Sequence, residues 1–329
     1  MSLTRKFTPA VLAAVVLLAG CGIAKDESKG PAGSVKPSAA VTTNPSASSK
    51  IKVTDFTGRE VIFDKAPVSV ATLALGDLDI VHKLGANIVG RPATKSPLPS
   101  EGLKNAAEIG NTHQPNFEKL AAAKPDLLIA GAGFNKHIAT VEKNGTKVLM
   151  TSANSVADIQ KSITLFGEVL EKKEEAKKLT QAIDDKLHAM SSAGKTGVRA
   201  LLVYGAPGTY MAALPNSLSG DVMAKSEGEN VAADYPQTKD FPQYAELSSE
   251  RIVESNPDVV YLITHGDPGA VKKSFEAEMS KNAAWKNLKA VKEGRVIILP
   301  PDLFGSSPGT KITDALDFMS DNLKTAAKK

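Results

Sequence analysis

Short apolar runs recur along residues 68–299, and stretches with the helical spacing of apolar residues lie between them. The run Val259–Thr264 constrains the fold most, because a strand that is apolar on both faces is typical of the centre of a parallel sheet. Alternation of such strands with helices predicts α/β units. The predicted strands are Val68–Leu73, Asn87–Gly90, Leu127–Ala130, Lys147–Thr151, Val198–Tyr204, Val259–Thr264 and Val296–Leu299. The predicted helices lie near residues 77–84, 117–123, 136–144, 217–227, 248–255, 269–280 and 308–325.

One helical pattern is much longer than the others. It runs from about Val156 to Met190 and divides the α/β pattern into two blocks, the first of which follows a β-like segment, Lys52–Phe63. We therefore predict an α/β fold of two Rossmann-like lobes joined by a single long backbone helix. A continuous helix resists hinging, so the angle between the lobes should change little on binding. The predicted boundaries are residues 51–154 for the N-terminal lobe, 155–193 for the linking helix and 194–329 for the C-terminal lobe with its closing helix.

The two blocks contain a similar segment. Glu118 is followed seven residues later by Pro125, and Glu250 is followed seven residues later by Pro257. In both copies an X-Pro-Asp sequence leads into an apolar run, which predicts a short helix, a turn and a buried strand. A chance recurrence of a common connection is the alternative, but duplicated topology in two lobes explains the match better.

The N-terminus has the pattern of a secreted lipoprotein. A basic start is followed by the apolar run Ala10–Ala19 and then by Leu-Ala-Gly-Cys, which resembles a bacterial lipobox. This predicts a signal peptide over residues 1–20, lipid attachment to Cys21, and a Gly/Ser/Pro-rich flexible tether over residues 21–50 with a typical span of roughly 30 Å. The protein should therefore be anchored to the outer face of the cell membrane of a Gram-positive bacterium.

Composition and motifs argue against two functional classes. The net charge of +4 comes mostly from scattered lysines, and no basic stripe interleaved with aromatic residues predicts nucleic-acid binding. The chain lacks the sequence motifs of the common hydrolases, metalloproteases, nucleotide-binding loops and dinucleotide-binding turns where the fold would require them. We therefore expect a binding protein rather than an enzyme.

Two of the five histidines occupy similar places in the two blocks. His113 lies in a loop just before the first copy of the repeated segment, and His265 follows the strand of the second copy. Ligands of open α/β sheets bind at the carboxyl ends of the strands, and two imidazoles facing one cleft suit a metal centre such as a haem iron. Hydrogen bonds within their own turns are the alternative. His82, His137 and His188 are expected to be surface residues.

Several segments, taken together, carry a family resemblance that extends over nearly all of residues 52–326. They are the lipobox, the Ser/Pro tether, Ile88–Pro92, Glu108–Gly110, Pro115–Glu118 with Lys124–Asp126, the long central helix, Gly228–Val231 and Val296–Phe304. In this order they resemble the iron-complex class of ABC-transporter substrate-binding lipoproteins. The resemblance implies two rigid lobes, a shallow cleft, and delivery of an iron–siderophore complex, haem or cobalamin to a membrane permease and its ATPase.

Within that class, the loops are most similar to those of haem receptors of the iron-regulated surface determinant type. The resemblance implies that His265 is an axial ligand of haem iron. His113 lies where those receptors carry a methionine ligand, so bis-histidine ligation is expected, with a lower potential than Met/His ligation. The alternative is that His113 contacts a ligand other than haem.

The same resemblance assigns further residues. Tyr210, Met211 and Phe304 match segments that face the cleft and could pack on a porphyrin face, although such residues also occur in cores. Glu118 and Glu250 match glutamates, one from each lobe, that dock into arginine pockets of the permease. Ordinary solvent-exposed helix glutamates are the alternative.

The expected function is that of a monomeric, lipid-anchored haem receptor of an ABC importer. A ferric-siderophore receptor of the same fold is the alternative. Anionic siderophores favour an arginine clamp, and the arginines after the signal peptide do not lie convincingly in the predicted cleft. They are Arg59, Arg91, Arg199, Arg251 and Arg295. A surface hydrolase or adhesion module would need a nucleophile–base pair or an exposed binding face, neither of which the sequence shows.

Overall fold

Two main β-sheets, each with helices joining its strands, make up the computed structural model. It describes residues 50–94, 96–206, 208–264 and 267–328, which lie in one compact unit, Ala47–Lys329. The predicted signal peptide, Cys21, nearly all of the tether and His265 fall outside the described residues.

The secondary structure alternates as predicted. The strands are β1 (Ile51–Thr54), β2 (Glu60–Phe63), β3 (Val70–Thr72), β4 (Ile88–Arg91), β5 (Ala107–Glu108), β6 (Leu127–Gly131), β7 (Lys147–Thr151), β8 (Arg199–Ala206), β9 (Thr209–Ala213), β10 (Glu229–Asn230), β11 (Tyr244–Glu246), β12 (Val259–Thr264) and β13 (Val296–Ile298). The α-helices are α1 (Leu75–Lys83), α2 (Phe117–Ala123), α3 (Ile138–Glu142), α4 (Val156–Val169), α5 (Lys173–Ala193), α6 (Leu218–Lys225), α7 (Ser249–Ser255), α8 (Pro268–Met279), α9 (Lys289–Lys292), α10 (Pro301–Phe304) and α11 (Ile312–Ala327).

The predicted α/β fold class is confirmed. The first sheet has the order β5-β4-β3-β6-β7, and all of its neighbouring pairs are parallel. The second sheet has the order β11-β9-β8-β12-β13, in which β8, β12 and β13 run parallel and β9 runs antiparallel to β8 and β11. Each strand predicted for these sheets is present within one or two residues of its expected ends. The β-like start is the antiparallel hairpin β1–β2.

The repeated helix–Pro-Asp–strand segment has the same structure in both copies. Helices α2 and α7 end on Lys124 and Asn256, both in the left-handed conformation that closes a helix. The aspartate two residues after this position then binds the start of the neighbouring parallel strand. Asp126 Oδ2 accepts the backbone N–H of Ser69 at 2.9 Å, and Asp258 Oδ2 accepts that of Arg199 at 3.0 Å. Each carboxylate thus fixes the register of one central strand against the next.

The prediction of one continuous helix over residues 156–190 is wrong. The segment forms α4 and α5, which are separated at Leu170–Lys172, where Glu171 has a left-handed φ of 55°. The two helices pack antiparallel, since Gln160 Nε2 donates to Asp184 Oδ1 at 2.7 Å and Gly167 lies against Ala176. Both helices keep an apolar face, so the helical spacing of apolar residues continues across the turn and the sequence predicts a single helix. The proposed domain boundaries remain predictions.

The two sheets share one apolar core. A single cluster of buried side chains extends from Phe63 on the hairpin through Phe166 on α4 to Tyr261 on β12 and Leu316 on α11. A second connection lies near residue 310, where the buried Asp79 on α1 accepts both the backbone N–H (2.7 Å) and the hydroxyl (2.6 Å) of Thr310. The two sheets are therefore connected by this core and crossing rather than by an unbroken helix.

No helix within residues 50–328 that the structure describes combines the length and apolar character needed to cross a membrane.

A buried carboxyl group links α1 to the first sheet. Asp77 lies in the first turn of α1 and accepts a hydrogen bond from the Thr151 hydroxyl at 3.0 Å. Burial raises the pKa of Asp77 from its ordinary value of 3.8 to about 6, and the Thr151 hydrogen bond opposes this rise. Between these two pH values the folded chain keeps a proton that the unfolded chain has lost, so stability falls as the pH rises through this interval.

Asp77→Asn should therefore remove this loss of stability. Relative to the wild type, its free energy of unfolding should increase by up to about 3 kcal/mol between pH 4 and pH 7, because only the wild type must ionise a buried carboxyl. Urea unfolding at several pH values measures the difference. Asp314→Asn, on an exposed position of α11, controls for the lost charge. Parallel pH profiles for wild type and Asp77→Asn would contradict the assignment.

Candidate ligand-binding site

The carboxyl ends of the parallel strands define where a ligand would bind. In the first sheet, the loop Gly110–Pro115 follows β5 and the turn Ala132–His137 follows β6. In the second sheet, β8 and β12 end side by side, with Thr264 paired to Gly205. Such edges expose loops and free backbone groups, which makes them the usual ligand sites of open α/β sheets.

His113 lies at the carboxyl edge of the first sheet. Its loop is held by Asn111, whose Oδ1 accepts the backbone N–H groups of His113 and Gln114, each at 3.0 Å. The His113 imidazole is exposed and hydrogen-bonds to no described residue, and a methyl group on Gly133 would lie 3.7 Å from its Nδ1. The turn is thus stabilised by asparagine and leaves the histidine nitrogens available to a ligand.

The surroundings of the second predicted histidine are described up to Thr264 and again from Asp267. His265 itself lies outside the described residues. Asp267 caps α8, since its Oδ1 accepts the Ala270 N–H at 2.7 Å, and Pro268 begins the helix. The predicted strand end and helix start are confirmed, whereas the role of His265 stays a prediction.

The other histidines differ in exposure. His188 is exposed on α5, as expected, whereas His82 is half-buried on α1. His137 is also half-buried, with its ring 5.0 Å from that of Phe117 and 5.3 Å from that of Phe134. The expectation of a plain surface residue is therefore wrong for both His82 and His137, and the His137 ring belongs to an aromatic cluster with Phe117 and Phe134.

Tyr210 and Met211 point to opposite faces of the second sheet, as neighbours on a strand must. The Tyr210 ring packs 5.1 Å from that of Phe275, and its hydroxyl is buried without a described partner. Met211 pairs instead with Tyr204 across the β8–β9 turn and lines a groove of about 550 Å³. Tyr210 lines a separate groove of about 760 Å³, so each of the two side chains borders a groove on its own face of the sheet, and both ligand contacts stay predictions.

Two tyrosines absent from the sequence-based prediction accompany Met211. Tyr204 and Tyr244 are half-buried, and their ring centroids are 5.0 Å apart. Burial raises the pKa of Tyr204, and burial together with the neighbouring Tyr204 raises the pKa of Tyr244 to about 12. Both phenols are therefore neutral at physiological pH. The alternation of residues along β8 and β9 could have revealed them, but β9 is absent from the predicted strands.

Phe304 is only 6% exposed and packs against Phe318 on α11, with ring centroids 6.0 Å apart. This packing explains why an aromatic residue ends α10. It leaves little surface for a ligand, so the geometry favours the alternative of a core residue, and the predicted porphyrin contact stays a prediction.

Glu118 and Glu250 occupy equivalent helix positions. Each is the second residue of its helix, after Asn116 capping α2 and Ser248 capping α7 through their side chains. Both glutamates are exposed, and Glu250 borders a groove of about 760 Å³. Its own backbone N–H and the Ser248 hydroxyl hold the pKa of Glu250 below its ordinary value. Two similarly presented carboxylates thus lie at the starts of the repeated helices.

Arg91 bears on the expectation that arginines do not lie convincingly in the predicted cleft, which stays a prediction. It ends β4 at the carboxyl edge of the first sheet, as a one-residue extension of the predicted strand would have shown. Its Nη1 donates to Glu108 Oε2 at 3.0 Å and to the Pro92 carbonyl at 3.2 Å, and the side chain is 15% exposed. A guanidinium engaged in this way is poorly placed to clamp an anionic ligand.

Among the residues that the structure describes, no group of three or more histidine, cysteine, aspartate or glutamate side chains could hold a metal ion. A site that binds its iron as part of a larger complex needs fewer protein ligands than a bare-metal site does. The exposed imidazole, the thioether and the neutral phenols suit such a complex.

Comparison with known proteins places these features in a family. Residues 70–303 match the family model described as periplasmic binding protein. The "High-affinity heme uptake system protein IsdE" of Staphylococcus aureus is 30% identical over 264 residues, which cover 79% of this chain and 86% of that protein. The crystal structure of IsdE complexed with heme superposes with a TM-score of 0.68 at 28% identity, covering 78% of this chain and 98% of IsdE.

Two further solved structures share the fold. An ABC-transporter substrate-binding protein from Listeria monocytogenes has a TM-score of 0.68 and 27% identity, covering 79% of this chain and all of the other. The petrobactin-binding protein YclQ from Bacillus subtilis has a TM-score of 0.68 at 22% identity, covering 85% and 99%, which shows a common fold alone.

Proposed function

The chain belongs to the periplasmic binding protein family, and we propose that it captures haem and delivers it to a membrane permease for iron acquisition. At the coarser level it is the substrate-binding component of an ABC importer of iron complexes. Members of this family bind substrates for transport and do not catalyse reactions, so the chain is not an enzyme. We propose lobes at residues 51–154 and 194–329, with the ligand between them.

The observation that carries the haem proposal is the exposed His113 imidazole at the carboxyl edge of the first sheet, free of hydrogen bonds to described residues. Neutral imidazole is a common axial ligand of haem iron. We propose His265 as the second ligand. The engagement of Arg91 by Glu108 weighs against an arginine clamp for an anionic siderophore. The similarity to a protein named for heme uptake agrees with this choice.

Haemin added to the purified chain should give a sharp low-spin Soret band with resolved visible bands, as two imidazole ligands produce. His265→Ala should abolish the low-spin spectrum, and His113→Ala should convert it to that of a singly ligated haem. His188→Ala, at an exposed position on α5, is the matched control and should leave the spectrum unchanged. Absorption titration at fixed pH measures all four proteins.

Different results would reject different parts of the proposal. A wild-type spectrum identical to that of free haemin, with tight binding of a ferric siderophore by fluorescence quenching, would favour the siderophore receptor. A low-spin spectrum that survives His113→Ala would remove His113 from the ligand set while leaving haem binding intact.

We further propose that Glu118 and Glu250 dock the chain on its permease through complementary cations. The docking proposal is supported by the exposure of both glutamates at equivalent positions, the starts of α2 and α7. Surface ion pairs of this kind steer and orient partners more than they add affinity. The partner is therefore expected to be an ABC permease with its ATPase, and the chain itself a monomer.

Glu118→Ala and Glu250→Ala, alone and together, should reduce haem-dependent growth of an iron-starved host while leaving haemin binding by the purified chain unchanged. The double substitution should have the larger effect, because each lobe would lose its contact. Glu175→Ala, an exposed glutamate on α5, controls for the charge change. Normal growth of the double variant at wild-type protein levels would reject docking through these residues.

Lipid anchoring through Cys21 is proposed from the sequence pattern at residues 5–21. Cys21→Ser should move the protein from the membrane fraction to the culture medium, since the acyl chains would be lost. Fractionation followed by immunoblotting measures the distribution, and metabolic labelling with a fatty-acid analogue should mark the wild type alone. Retention of Cys21→Ser on the membrane would show that another element anchors the chain.

A further inference from the structure

Partly exposed apolar side chains gather at one corner of the second sheet. Tyr204 is the cross-strand partner of Met211, and Met211 is the partner of Glu246 on β11. Side chains of directly paired residues share a face, so Tyr204 and Met211 lie side by side, and the Tyr244 ring completes the group at 5.0 Å from Tyr204. All three are half-buried.

Phe241 extends this group into solvent. It is 56% exposed and lines the 550 Å³ groove together with Met211 and Pro236. The other side chains of this groove are polar or charged: Gln237, Thr238, Lys239, Asp240, Glu246 and Arg251. Local hydrogen bonds hold its position: Thr238 Oγ1 donates to the Phe241 carbonyl at 2.8 Å, and the Tyr244 N–H donates to the same carbonyl at 2.9 Å. A phenylalanine fixed in an exposed position beside other apolar groups is typical of a binding surface.

The position of this surface relates it to the ligand edge. Tyr204 is also paired with Ile263, the last residue but one of β12. The surface therefore adjoins the carboxyl end of β12, and His265 follows this strand in the sequence. A groove of this size is in the range of small-molecule sites and suits part of a large ligand.

We propose that Tyr204, Met211, Phe241 and Tyr244 form an apolar wall that packs against the flat face of a tetrapyrrole. This inference rests on the proposed haem-binding function and adds to it a contact that recognises the macrocycle rather than the iron. The phenols are neutral and act by packing, and the thioether contributes a polarisable contact to the ring.

Phe241→Ala and Met211→Ala provide the test, because neither side chain is fully buried and both variants should fold. Each should weaken binding of haemin roughly tenfold, as the loss of one apolar contact to a ligand predicts. Each should weaken binding of iron-free protoporphyrin IX by a similar factor, since the wall contacts the ring. His265→Ala should instead affect haemin far more than protoporphyrin IX.

Two control variants separate the wall from general effects. Tyr210→Phe removes a buried hydroxyl on the opposite face of β9 and should leave both affinities unchanged. Ile62→Ala removes a partly exposed apolar side chain on the β1–β2 hairpin and should also leave them unchanged. Circular dichroism melting checks that every variant is folded at the titration temperature.

The outcomes distinguish this inference from the function on which it rests. If wild type binds haemin and protoporphyrin IX but Phe241→Ala and Met211→Ala bind both equally well, the wall is rejected and the haem receptor stands. If the wild type binds neither tetrapyrrole, the proposed function is rejected and the wall with it. Loss of haemin binding alone would show that these residues act on the iron and would also reject the wall.

Discussion

The bond between each Pro-Asp carboxylate and the start of the neighbouring strand determines how both lobes are organised. Asp126 and Asp258 each accept a backbone N–H from the first residues of the adjacent central strand. This contact fixes the register of two parallel strands at their amino ends. Because a shift of one residue would turn every side chain to the opposite face, the same contact decides which residues reach the carboxyl edge. The loops that carry the candidate ligand residues follow from that register.

The connection between the lobes is more extensive than a single helix would provide. The antiparallel pair α4–α5 belongs to a core cluster that includes residues of both sheets, and Asp79 binds Thr310 across a separation of 231 residues in the sequence. A hinge motion would have to open buried apolar contacts as well as this hydrogen-bonded crossing. A small change of lobe angle on binding therefore remains the expectation, although its physical reason differs from an unbroken helix.

The sequence predicts those parts of the molecule whose patterns have a unique structural meaning. Continuous apolar runs such as Val259–Thr264 locate the central strands, because few other elements are apolar on both faces. The helix break at Glu171 escapes detection, because charged residues surround it and no glycine or proline marks it. The choice between Tyr210 and Met211 is beyond the sequence for a different reason. Which of two successive residues faces a ligand depends on strand pairing, and pairing is a long-range property that a local pattern does not contain.

The site residues show the same limit. His113 could be singled out because it lies in a loop of polar residues between two recognisable elements. Phe304, in contrast, looks exposed by its position near Gly305 and Ser306 but packs on Phe318, whose location depends on the path of α11. Tyr244 and Phe241 lie in a segment without clear periodicity, so only the folded chain shows that Tyr244 packs on Tyr204 and that Phe241 lines a groove with Met211.

The two lobes share the helix–Pro-Asp–strand unit but present different chemistry at the carboxyl edges of their sheets. The first sheet offers a polar loop with an exposed imidazole, held by Asn111. The second offers an aromatic and thioether surface around Met211. A ligand held only by polar groups would gain little from the second surface, and an apolar ligand without a metal would gain little from the first. Under the proposed function a planar metal complex would use both, because its ring would pack against one lobe while its metal accepted a nitrogen ligand from the other.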